Sequence, residues 1–264
     1  MIRRLHRWPG LIAAALLIVL SLSGAALSVL NAVERAAAPQ AAQTQTVADL
    51  ATQILVNHPG VEQIKRAPSG KITAYWFDAG TPGAALVDPQ TGQDLGSADP
   101  SPLQLWLTDL HRALFLGDAG RIATALGALA MLILALSGTA LVARRMGGWH
   151  RWFSRSRGPW PGRIHLELTR FAVARLTLSA LTALWMTAST FAFLPDVGID
   201  PAIPADVSGQ MGTAPAAIPL LRDTTVSTLR ELTFPYPDDP TDVFTLKTDT
   251  GTALMDQGNG QTLV

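Results

Sequence analysis

Three uncharged apolar runs dominate the pattern of hydrophobic and polar positions. They cover residues 11–33, 122–143 and 176–194. About 20 consecutive apolar residues cross a hydrocarbon core of roughly 30 Å, so each run predicts a transmembrane helix. The third extends back to Phe171 across Arg175. The first exceeds the 7–15 residues typical of a signal-peptide core and is expected to remain as an uncleaved anchor. Elsewhere the pattern shortens to strand-like runs. Residues 72–96 read "ITAYWFDAGTPGAALVDPQTGQDLG" and residues 243–264 read "VFTLKTDTGTALMDQGNGQTLV". "ALVDPQTGQDL" aligns with "ALMDQGNGQTL" without a gap, placing Asp88 on Asp256 and Gly92 on Gly260. In both, Asp opens a turn and Gly takes the position that needs positive φ. Helical candidates at 46–57 and 214–231 precede the two stretches. The pattern predicts an internal duplication.

Composition agrees with a membrane protein carrying polar modules. The chain of 264 residues is 48% apolar and 15% charged. It holds no cysteine, which excludes disulfides, thiolate haem ligands, cysteine-ligated clusters and cysteine nucleophiles. The net charge is zero, but the charges are segregated. The segment 144–175 carries eight arginines against one acid, Glu167. Residues 32–118 hold five basic and nine acidic side chains, and residues 195–264 hold three and ten. Short basic loops stay on the cytoplasmic side. The N-terminus and the 146–163 loop are therefore expected in the cytoplasm, and the two acidic regions in the periplasm of a bacterial inner membrane. The basic face suits anionic lipid headgroups, and nothing indicates nucleic acid.

Three of the five histidines stand at the mouths of apolar runs: His6 in "LHRWPG", His111 in "LHRAL" and His165 in "IHLELTR". An ionisable residue at a membrane boundary is functional by default. His6 is followed 17 and 18 residues later by Ser23 and Gly24, and His165 at the same offsets by Thr182 and Ala183. Eighteen residues rise about 27 Å along a helix. The second run is antiparallel to these, with His111 outside and Ser137–Gly138 near the inside. Such small residues allow close helix packing, or room for a flat macrocycle. His150, in an aromatic basic loop, is expected to be an interfacial anchor. His58, in "VNHPGV", is expected to be solvated at a turn.

A helix followed by strands ending in "LVDPQTGQ" resembles the PepSY domain. "LHRWPGL", "LHRALFLGDAGR", an in-span "LALSG", an arginine-rich loop and "RIHLELTR" together resemble the PepSY-associated transmembrane proteins. That resemblance implies a membrane α-helical bundle, with three spans visible, carrying two small α+β PepSY-like periplasmic modules. The expected organisation is a first transmembrane helix at 1–36 and a PepSY-like module at 37–100. A periplasmic histidine segment and second span follow at 101–145, then a basic loop at 146–163. A third span is expected at 164–195 and a second, truncated module at 196–264. Members of the family include ferric-siderophore reductases of the inner membrane, and others carry this region ahead of a flavodoxin and FAD/NADPH-reductase unit.

The resemblance implies b-type haem between the helices, one or two per chain, with His6, His111 and His165 as iron ligands. Two neutral imidazoles on one iron make a low-spin electron carrier. Their ring nitrogens must stand roughly 4 Å apart across the metal, so the two side chains must face one another. Arg7, Arg112 and Arg170 are expected to neutralise haem propionates. His6 and His165 share the cytoplasmic face, while His111 lacks a second histidine at the other. The chain is accordingly expected to be a segment of a longer protein, or its remaining helix to lie elsewhere. Flavin and NADPH belong to a separate domain or partner, because no GxGxxG-type loop occurs. The expected function is electron transfer from a cytoplasmic donor to a periplasmic acceptor such as a ferric siderophore, as the membrane part of a reductase. The alternative is a haem-free PepSY scaffold or sensor that binds a periplasmic peptide, protease or metal carrier. The acidic "YPDDPTD" at 236–242 lacks the ligand spacing of a calcium loop.

Overall fold

A computed structural model describes residues 2–78, 80–156, 158–194, 201–204 and 206–264, without the side chains of residues 2–5, 9, 12 and 78. The side chains of Arg3 and Arg4, together with Arg157 and the start of the segment expected at 196, fall outside what is described. The chain divides into a helical unit (residues 1–28 and 101–197) and a sheet unit (residues 29–100 and 198–264).

The elements in chain order are α1 (Ile2–Ala37), α2 (Val47–Asn57), β1 (Val61–Arg66), β2 (Ile72–Asp78), β3 (Thr81–Val87), β4 (Asp94–Ser97), α3 (Pro102–Ala113), α4 (Gly117–Met146), α5 (Trp160–Thr190), α6 (Pro219–Asp223), β5 (Leu229–Thr233), β6 (Val243–Thr248) and β7 (Thr252–Asp256). Among the described residues, three helices are long and apolar enough to cross a membrane: Ala13–Ala37 within α1, α4 and α5. Their apolar side chains point largely outward, Leu22, Phe171 and Leu178 among them, as lipid-facing helices require.

Helix α1 packs antiparallel on α4 through glycines. A Cβ on Gly127 would meet Leu16 at 2.9 Å, and one on Gly10 would meet Leu134 at 3.4 Å. Small residues let apolar helices approach closely where no hydrophobic drive exists between them. The expected histidine segment forms a separate helix, α3. Ser101 caps it, accepting from the Gln104 amide at 3.2 Å. It ends in a tight turn at Leu114 and Phe115, both at positive φ. The turn folds the start of α4 against the end of α3, and a Cβ on Gly120 would lie 1.6 Å from the Ala113 carbonyl oxygen. No side chain but hydrogen fits there.

In the sheet unit both predicted strand stretches appear, and they are fused. The order β4-β3-β2-β1-β5-β6-β7 makes one seven-stranded sheet. Its middle is the antiparallel β1–β5 pair, with Ile64 opposite Leu232. The two PepSY-like modules therefore share one core, in which Leu50, Ile54, Ile64, Leu221, Leu232, Leu246 and Met255 are buried together. Helix α2 covers this core with residues 47, 50, 51 and 54, one face of a helix. A capping box starts it: Thr46 accepts from the Asp49 amide at 3.1 Å and Asp49 accepts from the Thr46 amide at 3.2 Å.

The two aligned turns match bond for bond. The Gly92 amide donates to the Asp88 carbonyl at 2.8 Å, and the Gly260 amide to the Asp256 carbonyl at 2.9 Å. The glycines sit at φ 68° and 70°. The helical candidate at 214–231 is corrected. Pro215 and Pro219 confine it to a 3-10 turn at Pro215–Ala217 and the five-residue α6. The rest becomes a loop and β5, because Leu229 and Leu232 are needed in the shared core. His58 is also unlike the solvated residue expected. It stacks on Trp76 with ring centroids 4.1 Å apart and lies 2.6 Å from an Asp94 carboxylate oxygen. His150 is exposed, beside the stacked pair Trp149 and Trp152.

Candidate functional site

Three helices converge at the His6 end of the helical unit. Helix α1 contributes His6, α4 contributes Ser137 and Gly138, and α5 contributes His165. The imidazoles of His6 and His165 face one another with centroids 6.3 Å apart and planes at 60°. His6 Nδ1 lies 2.9 Å from Ser137 Oγ. A Cβ on Gly138 would meet the His6 ring at 3.0 Å, so the ring rests on the bare glycine. A cavity of about 670 Å³ opens here, lined by His6, His165, Gly138, Gly162, Arg144 and Arg145 among others.

The other end of the helical unit repeats this arrangement with the partners exchanged. His111 of α3 reaches α1, where its Nδ1 lies 3.0 Å from Ser23 Oγ. A Cβ on Gly24 would meet the His111 ring at 2.9 Å. A second cavity, about 480 Å³, is lined by His111, Gly24, Arg112, Arg121, Ala183 and Met186 among others. Both volumes lie in the range of small-molecule and cofactor pockets, about 300–1,000 Å³. Along α1 the 17 residues from His6 to Ser23 rise about 26 Å, so the two cavities sit near opposite ends of the bundle.

The predicted residues divide by helix face. His6, His165, His111 and Arg112 all line a cavity. Arg7 and Arg170 do not. Five residues turn a helix through about 500°, so Arg170 faces some 140° away from His165, whereas Thr169 shares its face. Arg170 is instead buried at 6% exposure, paired with Glu167 at 3.0 Å and with its guanidinium 3.0 Å from Met146 Sδ. Ser156 donates to the same Glu167, which ties the basic loop to α5. Arg7 is exposed and lies over the Trp8 ring at 5.8 Å. The cations at the His6–His165 cavity come from α4, as Arg144 and Arg145, and Arg121 joins Arg112 at the other. Sequence reasoning passed over these three. Helical spacing could have found Arg145, seven residues from Gly138 and so on the same face.

The third small pair, Thr182–Ala183, behaves differently from the other two. Ala183 lines the His111 cavity, while Thr182 donates to its own helix at the Leu178 and Ser179 carbonyls. Among the described residues lining that cavity, His111 is the sole histidine.

A search of curated proteins and of solved structures finds no match to this chain. A family model described as the PepSY-associated TM region matches residues 3–258, nearly the whole chain. The fused sheet, the three apolar helices and the histidines at their ends thus belong to a membrane protein of the PepSY-associated transmembrane family.

Proposed function

We propose that the helical unit binds haem b between His6 and His165, with His111 offering one ligand toward a second, and carries electrons across a bacterial inner membrane. The donor is a cytoplasmic flavin-dependent reductase domain or partner. The acceptor is periplasmic, a ferric siderophore being the chemistry the family resemblance favours. In this reading the His6 end and the basic loop face the cytoplasm, and the sheet unit faces the periplasm.

The observation that carries the reading is the 6.3 Å spacing of the two facing imidazoles. An iron held on each side by a ring nitrogen at about 2 Å places the ring centroids about 6 Å apart. Among the described residues no three His, Asp or Glu side chains gather to hold an ion. A bare transition metal needs about four protein ligands, and two imidazoles suffice only when a macrocycle supplies the rest. The donor set therefore fits haem better than a free cation. Bound haem would supply one-electron ferric–ferrous chemistry. His6 and His165 would hold its iron, Arg144 and Arg145 would meet its propionates at the polar end, and the apolar helix walls would exclude water from its faces.

The test is optical. Full-length protein purified from haem-replete cells is expected to show a Soret band and a sharp α-band on reduction. A colourless preparation overturns the proposal and leaves the PepSY scaffold or sensor as the reading to pursue.

A further inference from the structure

We infer that Ser23 and Ser137 are positioning residues that fix the tautomer of the histidines opposite them, so that His6 and His111 each carry their proton on Nδ1 and present a bare Nε2. The use of that Nε2 for iron rests on the haem reading above; the tautomer assignment does not.

The argument is a proton count. A serine hydroxyl has one proton to donate and two lone pairs. Ser137 Oγ stands 2.7 Å from the Ile133 carbonyl oxygen, and Ser23 Oγ stands 2.8 Å from the Val19 carbonyl oxygen. A carbonyl can only accept, so each serine has committed its proton one turn back along its own helix. Toward the histidine each serine can then only accept. The contacts at 2.9 Å and 3.0 Å therefore require Nδ1–H on His6 and on His111. A neutral imidazole with its proton on Nδ1 has its lone pair on Nε2. The neighbouring Gly138 and Gly24 let each ring lie close to the helix that carries its serine, since a Cβ there would stand 3.0 Å from the His6 ring and 2.9 Å from the His111 ring. The device is reciprocal: α1 supplies a histidine at one end and a serine–glycine pair at the other, and α4 supplies the serine–glycine pair that answers His6. A ring that donates its second N–H to an acceptor is also a more basic ligand, which favours the ferric over the ferrous state.

The experiment uses the full chain in nanodiscs with ¹⁵N-labelled histidine. Without haem, at about pH 8 where imidazole is neutral, long-range ¹⁵N–¹H correlation is expected to show Nδ1–H for His6 and His111. Nε2–H at either residue overturns the assignment there. Ser137→Ala and Ser23→Ala should lose the bias, and the Thr variants, which keep the hydroxyl, should restore it. Haemin is then loaded. Ser137→Ala should raise the midpoint potential while the low-spin spectrum persists, and Ser137→Thr should bring it back. A potential that does not move in Ser137→Ala overturns the positioning role. If wild-type chain shows Nδ1–H but takes up no haemin, the haem reading fails and the tautomer assignment stands.

Discussion

The imidazole of His6, near the start of α1, and that of His165, near the start of α5, face each other with their centroids 6.3 Å apart. Both helices run in the same direction, and α4 runs antiparallel to them. Two residues far apart in sequence thus reach one membrane depth because each sits at the same end of its helix. His6→Ala and His165→Ala are each expected to abolish one low-spin haem and transmembrane electron flow. His58→Ala and His150→Ala should leave both intact, since neither lines a cavity in the helical unit. Haem content per chain, by pyridine haemochrome, checks this. Normal content in the His6/His165 double variant would move the iron site to His111.

Topology is tested apart from any cofactor. Reporter fusions are expected to place Gly148 in the cytoplasm and Gly92 and Gly260 in the periplasm, because eight arginines hold the 144–175 segment inside. An alkaline-phosphatase fusion active at Gly148 and silent at Gly92 would overturn this topology and the proposed function built on it.

Gly120 is the tightest point of the α3–α4 turn. With 1.6 Å between a built Cβ and the Ala113 carbonyl oxygen, Gly120→Ala must open the turn. A cost of about 1–3 kcal/mol is the usual range for overpacking. His111 stands two residues before Ala113, so the same change should loosen its contact with Ser23. Thermal unfolding and the His111 ring signals report the two effects. A variant with wild-type values for both refutes this account of the turn.

Asp256 gives the sheet unit an acid-sensitive anchor. It is buried at 2% exposure. Burial alone would raise its pKa. Hydrogen bonds outweigh that: the Ser208 amide and hydroxyl at 2.5 Å and 2.6 Å, with the Asn259 and Gly258 amides at 3.0 Å and 2.7 Å, hold it at about 2. An unfolded Asp titrates near 3.9. A depressed folded value contributes stability that is complete above about pH 4 and lost as pH falls toward 2, on the order of 2 kcal/mol. The hydrogen-exchange protection factors of the Gly258 and Asn259 amides, taken relative to the intrinsic rate at each pH, should fall over that window in the full chain. Asp256→Asn should exchange faster at neutral pH and lose this part of the pH dependence, and an unchanged profile would refute it. The aligned Asp88 is only half-buried and accepts from the Gln90 and Thr91 amides at 2.7 Å and 3.3 Å, so Asp88→Asn should cost less.

What the sequence determined by itself was whatever depends on local rules. The three spans follow from the length of uncharged runs, and the turns at Asp88 and Asp256 follow from an Asp acceptor and a glycine at positive φ. The histidines at helix mouths are fixed by their offsets along each helix, since 1.5 Å per residue sets depth without reference to neighbours. Rotation about the helix axis has no such local rule. Spacing within α5 already turns Arg170 away from His165 and toward Glu167, but only packing decided which face of α4 met the two histidines and so brought Arg144 and Arg145 to the cavity. Only packing decided that Ser137 answers His6 and Ser23 answers His111. The β1–β5 pairing was equally hidden, because joining Ile64 to Leu232 depends on a shared core built from both halves of a duplicated sequence. That core also shortened α6, overriding a helical pattern in which Pro215 and Pro219 were the local warning.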